Sequence, residues 1–190
     1  MDYRTDVILK DGTPCTIRTG TADDAAQMRE ELLVELAETE FLRSYPDEMK
    51  LDVQQEAEWL DGRATDPRAV ELVAVVDGAI LGHSGIWPVD TADKERHRAE
   101  FGISIGRRAW DNGLGRALAE AALECARQVG YRQLELEVVA ENERARALYQ
   151  KVGFREHGRV PRGFHTRDGR DHDLILMWLP LDTEAPAAYV

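Results

Sequence analysis

The feature that most constrains this chain is one amphipathic stretch. Leu114, Leu118, Ala121, Ala122, Cys125, Ala126 and Val129 recur at three- and four-residue spacing and stop at Gly130. That pattern predicts a helix with a single apolar face, closed by a glycine at its C-terminal end. Such a stripe must be buried against another layer. The flanking segments supply one: Glu100-Phe101-Gly102-Ile103-Ser104-Ile105 before it and Leu134-Glu135-Leu136-Glu137-Val138 after it read as strands. A second helix follows, opened by Asn142 and ended by Gly153. Strands and helices therefore alternate through the second half, which predicts an α/β fold, a mixed sheet covered by helices.

The first half adds a hairpin and two shorter helices. Val7-Ile8-Leu9-Lys10 and Cys15-Thr16-Ile17-Arg18 flank Asp11-Gly12, a hairpin signal. Thr21, with Asp24 three residues on, caps a helix carrying Ala25, Met28, Leu32, Leu33 and Leu36. Asp52 opens another, holding Ala57, Trp59 and Leu60. Val70 to Val76 reads as a buried strand and Ala79 to Trp87 as its partner, turning at Asp77-Gly78. Asp173 to Leu179 reads as the last strand. With 190 residues, a single domain over residues 1–181 is expected, followed by a flexible tail at 182–190.

Composition narrows the function class. The formal net charge of −12 argues against general nucleic-acid binding, which needs a basic field; it reads first as a device for solubility, with attraction of a cationic partner such as an amine as the alternative. No apolar run approaches the ~18 residues that a membrane span requires. The polar start and two widely spaced cysteines, Cys15 and Cys125, fit a cytoplasmic protein. Cys125 falls on the apolar stripe and reads as an inert buried thiol. None of the five histidines, His83, His97, His157, His165 and His172, forms a metal-ligand spacing, so no metal is expected. His83 reads as a packed histidine, with an orientation toward an acceptor cleft as the alternative. The acidic run Glu30, Glu31, Glu35, Glu38 and Glu40 reads as a solvated helix face, with attraction of a cationic acceptor as the alternative.

The segment Trp110-Asp111-Asn112-Gly113-Leu114-Gly115-Arg116 joins a strand to the start of the long helix. N–H groups at a helix N-terminus are unpaired and carry the positive end of the dipole. Glycines let a ligand approach that backbone, and pyrophosphate is a natural guest. Arg107, Arg108 and Arg116 add local positive charge in an acidic chain. No Gly-Lys-Ser/Thr follows, so this is not a nucleotide P-loop. Further on, Asn142 and Tyr149 lie seven residues apart, about two turns, and share a helix face.

Together these segments resemble the GNAT superfamily of N-acetyltransferases. Gly113 and Gly115 match the small positions of that family's Gln/Arg-x-x-Gly-x-Gly/Ala loop. Asn142, Ala145, Leu148, Tyr149, Gly153 and Phe154 match its later Asn-x-x-Ala-x-x-Leu-Tyr-x-x-x-Gly-Phe helix. The resemblance covers roughly residues 70 to 180. Trp110 departs from the usual Gln or Arg, as in some members similar to ribosomal-protein and polyamine acetyltransferases. Because that position acts mainly through backbone, coenzyme binding is expected to survive.

The resemblance implies a central, mostly antiparallel sheet flanked by helices. It implies acetyl-CoA as a cosubstrate, with no tightly bound cofactor. Acetyl transfer would go directly to a primary amine, a small molecule or a protein N-terminus. A homodimer is common among such proteins; no nucleic-acid or membrane partner is expected. By this match Ile103, Ser104 and Ile105 line the pantetheine arm; Asp111, Asn112, Gly113, Leu114, Gly115 and Arg116 hold the pyrophosphate; Asn142 touches the coenzyme. Tyr149 stands at the family's acid position. A phenol of pKa ~10 is protonated at neutral pH and can donate to the departing thiolate. A lysine-like amine at pKa ~10.4 is only about one part in two thousand neutral at pH 7, so a general base or a water chain must help. Glu137 is the first candidate, Glu100 the second, and Glu135 a rival of the same strand parity as Glu137. The resemblance also implies an acceptor side built from the first two helices and late loops, here Asp23 to Gly62 and roughly Arg155 to Arg170, where Arg159, Arg162 and Arg167 suggest an anionic group or a coenzyme phosphate. The reading from a different class is a non-catalytic coenzyme A-binding sensor or interaction module on the same fold.

Overall fold

The computed structural model describes residues 1–181; the tail expected at 182–190 lies outside the described residues. Eight strands form one sheet: β1 (Arg4–Ile8), β2 (Pro14–Thr19), β3 (Val70–Val76), β4 (Ala79–Pro88), β5 (Arg98–Ile105), β6 (Gln133–Val139), β7 (Arg155–His165) and β8 (Asp171–Pro180). Their order is β1-β2-β3-β4-β5-β6-β8-β7. Every neighbouring pair is antiparallel except β5 and β6, which run parallel. Four helices cover it: α1 (Ala25–Glu38), α2 (Val53–Thr65), α3 (Leu114–Val129) and α4 (Glu143–Val152).

The parallel pair dictates where α3 goes. Two parallel neighbours need a crossover, and the amphipathic stretch supplies it. Its buried Leu114, Leu118, Ala122, Cys125 and Ala126 pack on Leu72, Ile86, Ala99, Phe101, Leu134 and Met177 of the sheet. Gly130, at φ +91°, ends α3 in the left-handed conformation that favours glycine. The opposite face is smaller: Ala25, Met28, Leu60, Val73 and Ile80 form its apolar core beneath α1 and α2. Side chains alternate along each strand, so that face also receives Glu71, His83, Trp87, Glu100, Glu135 and Glu137.

The predicted caps are present. The Asp24 carboxylate accepts from the Thr21 N–H at 2.9 Å and the Thr21 hydroxyl at 3.1 Å, and it is held by both terminal nitrogens of Arg18 at 2.7 Å. Asn142 Oδ1 accepts from the Ala145 N–H at 3.2 Å at the start of α4. One expectation fails: Arg155 to His165 is not loop but an eleven-residue strand, β7. It forms the outer edge of the sheet and is mostly exposed, so no hydrophobic alternation marks it. Two register irregularities and Pro161 interrupt its ladder with β8, which blunts an exposed edge against pairing with other chains.

Candidate active site

The sheet opens in its middle. β5 and β6 pair at only three positions, Arg98↔Gln133, Ala99↔Leu134 and Glu100↔Glu135. Beyond them β5 stays on β4 as far as Ile105, while β6 stays on β8 as far as Val139. The facing backbone edges of residues 101–105 and 136–139 thus have no ladder partner among the described residues. Backbone N–H and C=O groups demand partners, and an extended ligand carrying amides can supply them. Ile103, Ser104 and Ile105 line this gap and are only half-buried, in the middle of a sheet.

The glycine loop closes the wide end of the gap. Gly113 caps α3 at φ +98° and Asp111 stands at φ +63°. The first intrahelical bond runs from Ala117 N–H to the Gly113 carbonyl at 3.1 Å. Asn112 Oδ1 takes the Leu114 N–H at 3.1 Å. The N–H groups of Gly115 and Arg116 have no partner among the described residues and remain open to an anion. Gly115 is tightly enclosed: an added Cβ would lie 3.2 Å from both Ile105 Cδ1 and Leu148 Cδ2.

The charge around this loop differs from expectation. Arg108 turns away and donates to the carboxylate of Glu31 on α1 and to the Ile80 carbonyl. Arg116 pairs with Glu120 at 2.8 Å. Two residues that the motif did not reveal take over. Arg144 stacks on the Trp110 ring at 4.3 Å and pairs with Asp111 at 2.5 Å. Lys10, from the β1–β2 turn, reaches the Asp111 carbonyl at 3.3 Å. These cations hold the Asp111 carboxyl below its usual range, the hydrogen bond from Arg144 contributing most. Trp110 fits the loop because its indole N–H donates to the Ile105 carbonyl at 2.8 Å. Arg159, Arg162 and Arg167 are not free for a phosphate: they pair with Asp173, Asp171 and Asp47.

At the narrow end, consecutive residues of β5 point to opposite faces. Phe101, just past the last β5–β6 pair, packs against Tyr149 of α4 with ring centroids 6.2 Å apart. Tyr149 is buried, and desolvation pushes its phenol up to about 12. On the other face Glu100, at the last pair, accepts from the Trp87 indole N–H at 2.8 Å. Glu137 stands two residues along β6 from Glu135, exposed and opposite Leu176. Glu135 is occupied: Arg98 grips it at 2.5 and 2.7 Å and holds its carboxyl low.

A buried charged cluster lies beside this face. Glu31 and Glu35, expected on a solvated surface, are 5% and 2% exposed. Glu71 of β3 contacts His83 Nδ1 at 3.0 Å, and Glu35 approaches Nε2 at 3.6 Å. The two carboxylates raise the imidazole to about 10, against its burial, so His83 is a cation at neutral pH. Burial pushes the Glu31 and Glu56 carboxyls up. Glycines make room: a Cβ at Gly106 would lie 2.5 Å from Glu31 Oε1. His83 is packed as expected, but between acids rather than in apolar surroundings. Cys125 is fully buried and its thiol is pushed up to about 12 by desolvation, as befits an inert thiol.

A family model described as "Acetyltransferase (GNAT) family" matches residues 30–154, spanning the opened sheet, the glycine loop and Tyr149. The chain belongs to the GNAT acetyltransferase family. The fold agrees. A GNAT acetyltransferase from Streptococcus pneumoniae superimposes with a TM-score of 0.84 at 34% identity, over 87% of this chain and 99% of that one. YncA of Salmonella typhimurium, solved with acetyl-CoA, has the same fold at TM-score 0.80 and 23% identity, over 92% and 99% of the two chains. The L-amino acid N-acetyltransferase AaaT of Escherichia coli is 31% identical over 120 residues, 63% of this chain and 73% of that protein. As a GNAT member the chain is an acetyl-CoA-dependent N-acetyltransferase, with acetyl-CoA as cosubstrate and an amine as acceptor. No helix among the described residues is long and apolar enough to cross a membrane.

Proposed function

We propose that this GNAT enzyme acetylates the α-amine of a small amino acid, with Tyr149 as general acid and a glutamate as base. One observation carries the mechanism. Where β5 and β6 part, Tyr149 lies against one face of β5 and Glu100 emerges from the other. A thioester in the gap would have a proton donor on one side and an acceptor on the other. Of the two candidate bases, Glu100 is better oriented, because Trp87 fixes its carboxylate at the point of divergence. Glu137 is on the same face but has no side-chain partner among the described residues. Similarity to AaaT supports the choice of an amino acid. So does the chemistry: an α-amine of pKa near ~8 is about one-tenth neutral at pH 7 and asks less of a base than a lysine-like amine.

Burial keeps Tyr149 protonated. It also places the phenol above a thiol of pKa ~8.5 in water. The same desolvation raises the pKa of a thiol released beside it, which keeps the thiolate a good proton acceptor. Tyr149→Phe keeps the ring and removes the proton. With acetyl-CoA and a panel of L-amino acids, thiol release should show kcat reduced about 10²–10⁴-fold and an unchanged KM for acetyl-CoA. An unchanged kcat would leave Tyr149 with a packing role alone.

A further inference from the structure

We propose that Arg63, held against Trp59 and Trp87 beside Glu100, anchors the carboxylate of the acceptor. This rests on the amino-acid reading above and names the group that would select such a substrate.

Arg63 and Trp59 are one helical turn apart on α2 and face each other. The guanidinium carbon of Arg63 lies 4.9 Å from the Trp59 ring centre and 5.2 Å from that of Trp87. Trp87 lies along the sheet surface, since its Cη2 would be 2.9 Å from a Cβ at Gly102. Its indole N–H is the donor that orients Glu100. One indole therefore links the cation to the candidate base. The two contacts in series place guanidinium and carboxylate about 10 Å apart or less. A bound carboxylate on one side, an amine near the base on the other, and the Cα between them would fill such a gap at ordinary hydrogen-bond lengths.

Arg63 is left without a carboxylate partner among the described residues, in a chain with 36 acidic residues. Other arginines bordering this face are engaged: Arg98 by Glu135 and Glu95, Arg108 by Glu31, Arg29 by the Leu51 carbonyl at 2.8 Å. A guanidinium stacked on aromatic faces keeps its in-plane N–H fork free for a carboxylate. Trp59, though 37% exposed, is a large apolar side chain whose exposure makes sense if it walls an acceptor pocket.

The test compares an amino acid with its amide and its decarboxylated amine as acceptors, for wild type, Arg63→Gln and Arg63→Lys. Loss of a charge-assisted contact should lower the acid-over-amide ratio of kcat/KM about 10- to 100-fold in Arg63→Gln, mainly through the acceptor KM. Arg63→Lys should recover part of that ratio. Calorimetric affinity for acetyl-CoA reports whether each variant is folded and should not move. A wild type that acetylates amino acids while Arg63→Gln keeps its acid-over-amide ratio would overturn the proposal and leave the amino-acid reading standing. A wild type that prefers the amide or the decarboxylated amine would overturn both.

Discussion

His83→Gln tests the buried charge cluster directly. The imidazolium lies between Glu71 at 3.0 Å and Glu35 at 3.6 Å, both almost completely buried. Removing one partner of a buried ion pair costs about 3–5 kcal/mol, because the remaining charge is stranded. Glutamine can still donate to one carboxylate, so the lower end, about 3 kcal/mol, applies at pH 7. For a protein of 190 residues each kcal/mol lowers Tm by about 2–4 °C, giving about 6–12 °C. The pH dependence sharpens the test. His83 holds its proton more tightly when folded, about 10 against an ordinary 6.5. Its stabilisation is therefore complete below about pH 6.5 and is lost as pH climbs toward 10. Thermal unfolding followed by circular dichroism should show wild type and variant converging over that interval. A Tm difference under about 2 °C at pH 7, or a gap that stays constant from pH 7 to 10, would refute a cationic His83.

Two further outcomes are expected. Gly115→Asp sets a carboxylate against the free N–H groups of α3 and crowds Ile105 and Leu148; calorimetry should show acetyl-CoA affinity reduced at least about tenfold, and equal affinity would place the pyrophosphate elsewhere. Glu100→Gln should lower kcat most at acidic pH and recover as pH rises and solvent deprotonates the amine, with Glu137→Gln less affected; the reverse order moves the base to Glu137, and full activity in both across pH leaves the proton to water.

What the sequence revealed was whatever depends on local periodicity. The α3 stripe, the hairpin at Asp11-Gly12, the Thr21–Asp24 contact and the Asn142 cap are written within a few residues each, and all appear. β7 was missed because an outer edge strand buries little and carries no alternation. The solvated reading of Glu31 and Glu35 failed because their partners are Arg108 and His83, distant in sequence. A clue was available: Ala25, Met28, Glu31 and Glu35 follow helical spacing, so the acids share the buried face of α1. Arg108 adjoins the phosphate loop in sequence, while backbone geometry sends its side chain to the other side, onto Glu31. The Arg63 stack needs α2 and β4 together and leaves no linear pattern.

The unfinished ladder between β5 and β6 places a limit on engineering this protein. Continuing the pairing past Glu100 and Glu135 would satisfy idle backbone groups and add cohesion to the sheet, as a designer seeking heat resistance would wish. On the function proposed above, each added rung would also occupy the strip assigned to the cosubstrate. On that proposal, stability at this seam and catalysis draw on the same hydrogen-bonding groups, so robustness is to be sought at the periphery, in β1, the outer face of α3 or the β7 edge. Saturation with cosubstrate offers the other route, since a ligand that binds only the folded form stabilises it in proportion to the logarithm of its concentration.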